Sequence, residues 1–226
     1  MADRPMIYVD DVCKAYKTGE MSTPVLKHIS FTVQKGELAA VVGDSGSGKT
    51  TLMNLLGALD APDSGRIIIN NREISSMKAE QRTLYRRHNI GFIFQDYNLI
   101  QVLNVYENIM LPLQLGQKKA DEKKVDFLLE QLHLKEKKYS LPSQLSGGEQ
   151  QRVAIIRALI HNPDLILADE PTGNLDSRNT AIVVKLIYAL CRKFHHTTVL
   201  VTHNMQIAKL CDRRIMIKDG SIRQEV

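Results

Sequence analysis

Residues 38–56 read LAAVV-GDSGSGKT-TLMNLL. Leu38 to Val42 is an unbroken apolar run, the pattern of a strand covered on both faces. Gly43 to Thr50 follows as G-D-S-G-S-G-K-T, a full match to G-x-x-x-x-G-K-[ST]. A helix is predicted from about Thr50, with Leu52, Leu55, Leu56 and Leu59 on one stripe. Strand, glycine loop and helix in this order make an anion cradle. Glycines let successive backbone N–H groups turn inward, and the helix start adds partial positive charge. Gly43, Asp44, Ser45, Gly46, Ser47 and Gly48 form the loop, Lys49 supplies a point charge for β- and γ-phosphates, and the Thr50 hydroxyl can ligate Mg2+. A glycine turn in an ordinary strand–helix unit would not require Lys-Thr at this offset. The chain is therefore read as nucleotide-binding, with the reaction still open, since kinases and GTPases share the loop.

Outward from the loop, strands alternate with helices. Val25–Val33 puts Ile29, Phe31 and Val33 on one face, with Leu26 breaking the alternation, and Lys35-Gly36 turns the chain. Ser64-Gly65 turns into a strand over Arg66–Asn70, and Ile90–Phe94 is a short strand ending at Gln95. From Asp96 to Leu141 the pattern becomes helical and charged, punctuated by Pro112, Gly116 and Pro142. After it come a helix (149–160), a buried strand LILAD (165–169), a helix (about 178–194), the strand TTVLVT (197–202), a helix (204–210) and a hairpin turning at Asp219-Gly220. The expected fold is α/β: a mainly parallel sheet of the P-loop NTPase, RecA-like kind, with an antiparallel β part and an inserted helical subdomain. The whole chain, 1–226, is expected to be one nucleotide-binding domain. Residues 1–95 and 151–226 would form the nucleotide-binding core, and 96–150 the helical subdomain.

Composition sets bounds. The 226 residues are 43% apolar, enough for a core, and no apolar run nears the roughly 18 residues that span a bilayer. The start, MADRPMIYVDD, lacks a basic-then-apolar signal pattern, so the protein is expected to stay where it is made. Cys13, Cys191 and Cys211 are odd in number and without metal spacing, which fits free thiols. The net charge of +5 would suit nucleic acid, an anionic membrane or a bound nucleotide, and alone decides nothing.

LILADE places Asp169 and Glu170 at the end of a buried strand. Adjacent acids there are costly unless paired or metal-bound. Parallel sheets collect ligands at the carboxyl ends of their strands. Asp169 can then hold Mg2+, directly or through water, and Glu170 can orient or deprotonate a water for in-line attack on the γ-phosphate. The alternative is a solvent-exposed pair of loop acids. LSGGEQQR, residues 145–152, sets two glycines before a helix, with Ser146 and Glu149 at capping-box spacing. A cap accounts for Ser and Glu, but not for the two glycines between them.

Phosphate loop, LSGGEQQR, LILADE and a late histidine, in this order and at these distances, resemble the ATP-binding cassette (ABC) family over almost the whole chain. The resemblance implies an ATPase whose cofactors are ATP and Mg2+. It implies a head-to-tail homodimer with ATP sandwiched between Ser146, Gly147 and Gly148 of one subunit and the phosphate loop of the other. By matching position, Tyr16 stacks on adenine, Thr51 helps bind the α-phosphate, and Gln95 senses magnesium and the attacking water. His203 contacts the γ-phosphate, and Asp176 of GNLD lies in the loop crossing the dimer interface. A surface tyrosine near a strand end remains the local alternative for Tyr16.

The chain reads as a minimal cassette, and about fifty residues between Gln95 and the signature are expected to leave no room for the coiled coil of DNA-repair cassettes. No nucleic-acid partner is expected. GALDAPDSG, FIFQDYNLI, VYENIMLPL and DEPTGNLD resemble the macrolide-exporter and lipoprotein-releasing subgroup. That implies a permease partner with few membrane helices and a large extracytoplasmic domain, and peripheral placement on the cytoplasmic face of the membrane. The alternative is a soluble cassette for assembly or regulation, of the iron–sulfur scaffold type. The segment Phe94–Leu115 would form the groove for a permease helix, with Tyr97, Leu99, Ile100 and Leu103 as its apolar candidates. The same four could equally be the core of the insert.

Overall fold

The computed structural model describes residues 4–19, 21–175 and 177–225. Two sheets carry the fold. The first is antiparallel, in the order β2 (Met21–Val33), β1 (Ile7–Thr18), β4 (Ser64–Ile69) and β5 (Arg72–Glu73). The second runs β10 (Ser221–Glu225), β9 (Arg213–Lys218), β3 (Leu38–Val42), β8 (Thr197–Thr202), β7 (Leu165–Asp169), β6 (Ile90–Ile93). All its neighbours pair in parallel except the β9–β10 hairpin, which turns through Asp219 and Gly220, both at positive φ. The fold is the mainly parallel α/β architecture expected.

The continuous apolar runs are continuous because each strand is covered twice. In β7, Leu165 and Leu167 face one core with Ile7, Ile29 and the leucines of α1 (Lys49–Leu56). Ile166 and Ala168 face the other, shared with α3 (Val105–Leu115), α4 (Glu122–Gln131), α5 (Gly147–Leu159) and α6 (Ser177–Phe194). In β8, Val199 and Val201 go to the first core and Leu200 to the second. This is the period-two alternation of a strand read from both sides. Leu52, Leu55 and Leu56 are at most 1% exposed. Each contributes roughly 1.5–3 kcal/mol by leaving water.

Several expectations are corrected. Helix α1 ends at Leu56, so Leu59 leaves the stripe and is 46% exposed. Pro112 lies inside α3, and Gly116 caps that helix. Helix α5 starts at Gly147, not Glu149, and so runs across residues 150 and 151, where the core and the helical segment were divided. Residues 205–208 form only one helical turn, α7 (Met205–Ala208). Two elements carried no sequence signal. Strand β1 is bulged, with register shifts at Val9/Val12 and Lys14/Ala15 and Asp11 at φ 52°, so its alternation is broken. Helix α2 (Ala79–Asn89) buries only Tyr85.

His161 is buried beside β6, with Nε2 on the Ile90 carbonyl at 3.2 Å and Nδ1 without a partner among the described residues. Burial, little offset by that bond, depresses its pKa from 6.5 to about 4. The unfolded chain then takes up the proton first. The stability held above pH 6.5 is lost as pH falls toward about 4, by about 3 kcal/mol over that window. Urea titrations at pH 7.5 and 4.5 should show His161→Gln flattening this acid limb; an unchanged slope would contradict the assignment.

Candidate functional site

Four parallel strands lie side by side, β3, β8, β7 and β6, and each delivers one group at its carboxyl end. After β3 comes the phosphate loop, after β8 His203, after β7 Asp169 and Glu170, and after β6 Gln95. These residues line one open cleft of about 580 Å³ together with Tyr16, Ser45, Gly46, Gly48, Lys49, Thr50 and Thr51. Neighbouring strands of a parallel sheet point their ends the same way, so groups distant in sequence converge.

The loop is built for close approach. A Cβ on Gly43 would lie 2.1 Å from the Ile217 carbonyl oxygen, and one on Gly48 would lie 2.7 Å from the Leu26 side chain. Gly46 (φ 77°) and Gly48 (φ 106°) take left-handed backbone that glycine adopts freely. Gly46 faces open space instead of packing, so its side is free for a ligand. Ser47 Oγ is buried and meets no partner among the described residues. Lys49 Nζ donates to the carbonyls of Gly43 (2.8 Å) and Asp44 (2.7 Å), which holds its charge over the loop. Nest, orphan hydroxyl and ammonium fit a polyphosphate.

Across the cleft, Glu170 sits at φ 43°, in left-handed backbone that a non-glycine residue occupies at about 1–2 kcal/mol. The surroundings fix it there. Its N–H donates to the Val201 carbonyl at 3.0 Å, and its own carbonyl accepts from Gly173 N–H at 3.0 Å. Its Oε1 accepts from His203 N–H at 3.0 Å and lies 2.9 Å from His203 Nδ1. Strain over-determined by neighbours is a mark of functional positions. No sequence pattern announces it.

Asp169 is half-buried, and its carboxyl pKa is raised, first by burial and then by Glu170, with Lys49 opposing. The folded chain therefore holds the proton more tightly than the unfolded chain does. Stability present below the ordinary 3.8 is lost as pH rises through the raised value, and the charged group burdens the fold at neutral pH. A cation would relieve that burden. The residues present fit Mg2+: Asp169, Thr50 and Gln95, a carboxylate, a hydroxyl and an amide with hard oxygen donors, line the same cleft. Asp169→Asn should raise the melting temperature of the nucleotide-free protein and remove the Mg2+-dependent part of ATP binding; a lower melting temperature would contradict this.

The remaining positions differ in how they are held. Tyr16 is 40% exposed at the cleft margin, its hydroxyl 3.2 Å from Asp60. Thr51 is buried under the loop. Ser146 is the N-cap of α5 in a full capping box: Glu149 Oε2 accepts from Ser146 N–H at 2.8 Å and from its hydroxyl at 2.7 Å. Those bonds lower the Glu149 pKa, the hydroxyl contact most. Gly147 has a reason within its own chain, because a Cβ there would come 2.8 Å from the Tyr97 hydroxyl. The contact with Tyr97 thus gives Gly147 a reason that the capping box does not. Gly148 is buried, and neither it, Gly147 nor Ser146 lines the cleft of its own chain. Asp176 lies outside the described residues.

Sequence comparison supplies the family. The ABC transporter profile matches residues 26–173, which span the phosphate loop, Gln95, the signature and the acid pair. The chain belongs to the ABC transporter family. It is 44% identical over 223 residues to the ABC transporter ATP-binding protein YxdL of Bacillus subtilis (strain 168), covering 98% of this chain and 86% of that protein. Two solved structures of the cassette MJ0796 superpose with TM-scores of 0.88, each covering 98% of both chains. One is a dimeric post-hydrolysis state bound to ADP and Pi, at 38% identity. The other is described as a dimeric bacterial ABC transporter cassette, at 39%. The present chain is thus an ATP-binding, ATP-hydrolysing subunit of the ABC transporter kind. Among its described residues no helix is long and apolar enough to cross a membrane.

A second cavity, of about 470 Å³, opens beside the cassette's insert. Phe92 and Phe94, stacked with ring centroids 5.3 Å apart, line it together with Leu111, Pro112 and Leu115. The four groove candidates Tyr97, Leu99, Ile100 and Leu103 are not in its lining. Leu99 is buried in the core, Tyr97 packs against that core, and Ile100 is 40% exposed elsewhere. Phe94, Asn98, Leu111, Pro112 and Leu115 of the expected segment do line it, joined by residues of α2, β6 and α5 outside that segment.

Proposed function

We propose that this cassette hydrolyses ATP as a head-to-tail homodimer and thereby drives a membrane permease. ATP is read as lying in the cleft with its phosphates on Gly43–Thr50 and Thr51 and its adenine against Tyr16. Lys49 balances β- and γ-phosphate charge. Glu170 is the base that takes a proton from the attacking water, and His203 orients it and contacts the γ-phosphate. Thr50, Asp169 and Gln95 would hold Mg2+, which when bound supplies charge neutralisation on the phosphate oxygens. Ser146, Gly147 and Gly148 of the partner copy close the site from outside, with Asp176 in the loop between the two. The observation that carries this reading is Glu170, held in strained backbone and paired with His203, in one cleft with the phosphate loop.

The cavity lined by Phe92 and Phe94 supports a permease-docking role. Leu59 and Leu115, 46% and 55% exposed, extend its apolar surface. Arg86, Arg87 and Arg157 also line it, and no carboxylate does. The guest is therefore read as a short cytoplasmic helix with apolar residues and at least one acidic one. The subgroup motifs favour a permease of few membrane helices and a large extracytoplasmic domain, which would keep the cassette on the cytoplasmic face of the membrane. The test is capture from detergent-solubilised native membranes by Glu170→Gln protein with ATP and Mg2+. Recovery of such a permease is expected. Recovery of soluble assembly proteins alone, across detergents, would overturn the transport reading and leave the ATPase.

A further inference from the structure

Gln95 is seated by Gly173 and Asn174, two residues of the GNLD stretch to which the sequence reading gave no role. Its side chain lies across Gly173, where a Cβ would come 2.7 Å from Nε2 and 2.8 Å from Cδ. Beside it, Asn174 Nδ2 donates to the Gln95 carbonyl oxygen at 3.2 Å and to Asp96 Oδ1 at 2.8 Å. Asn174 Oδ1 accepts from Gln95 Nε2 at 3.2 Å.

The chain of bonds has a direction. A primary amide donates at one end and accepts at the other. Asp96 and the Gln95 carbonyl are both acceptors, so the NH2 of Asn174 must face them. Its oxygen is then left for Gln95, which must offer its own NH2. The Gln95 oxygen is the one end that remains, and only an amide oxygen can bind a hard cation. We propose that Asn174, with Gly173 leaving room for the Gln95 side chain, is a positioning residue that fixes which end of the Gln95 amide is presented to the cleft. The inference rests on the metal-side reading of Gln95 given above. It also joins the loop just before Asp176 to the residue at which the helical insert begins.

Equilibrium binding tests it without turnover. Mn2+ serves as the probe, its binding to ATP-loaded Glu170→Gln protein followed by electron paramagnetic resonance. Asn174→Ala and Gly173→Ala should each weaken Mn2+ about three- to tenfold, with ATP affinity in EDTA unchanged within about twofold. In a Gln95→Ala background, Asn174→Ala should add nothing, because the two act through one amide. In nucleotide-free protein, the side-chain amide NMR signals that disappear in Gln95→Ala should shift in Asn174→Ala. Wild-type Mn2+ affinity in Asn174→Ala, or additive losses in the double variant, would overturn the inference. If Gln95→Ala itself left Mn2+ binding unchanged, the metal role of Gln95 would be the part that fails.

Discussion

Glu170→Gln should lower ATP turnover by about 10²- to 10⁴-fold, the range a positioned general base supplies, while ATP still binds. The substitution is nearly isosteric. The remaining amide oxygen can accept from His203 N–H as Oε1 does now, and the backbone bonds to Val201 and Gly173 are untouched. What disappears is basicity. Lys49, the glycine loop and Thr51 stand on the other side of the cleft and keep their grip on the phosphates. Single-turnover kinetics beside a binding isotherm would separate the two effects. Normal turnover would remove Glu170 from the base role; lost binding would mean that its strained backbone had been supporting the loop.

The second large effect concerns a residue that does not line the cleft of its own chain. Ser146→Arg should abolish ATP-dependent dimerisation and with it nearly all turnover, while a single chain still binds ATP. Ser146 is exposed at the start of α5. In the proposed sandwich it would face the partner's γ-phosphate, where an arginine side chain would not fit. The substitution also removes the Ser146 cap, at a cost of roughly 1 kcal/mol. Ser146→Ala is the control, since it loses the cap and keeps the space. If Ser146→Ala fails to dimerise as completely as Ser146→Arg, the cap matters more than the docking. If Ser146→Arg dimerises normally, the sandwich is wrong for this chain.

What could be read in the sequence was whatever local chemistry forces. The phosphate loop is legible because an anion nest, a lysine and a hydroxyl must stand at fixed offsets. Strands β3 and β7 are legible because double burial leaves nearly unbroken apolar runs, and β8 because its residues are almost all β-branched. Where burial is one-sided or the strand bulges, the signal fails, as in β1 around Asp11 and in α2 with its single buried Tyr85. Contacts between distant segments leave no local trace. The strained φ of Glu170, the seat of Gln95 on Gly173 and Asn174, and Arg157 donating to the carbonyls of Tyr97 and Asn98 exist only once the sheet is assembled. The same holds for Gly147, whose smallness answers to Tyr97 fifty residues away.

The central claim is that ATP joins two copies of this chain. The most direct measurement is the mass of Glu170→Gln protein in solution by light scattering, with ATP and Mg2+ and again with ADP. Two 25.5 kDa chains with ATP and one with ADP is the predicted result. Adding Ser146→Arg should return the ATP sample to a single chain. A single 25.5 kDa chain under both nucleotides, at concentrations where ATP saturates the cleft, would contradict the claim.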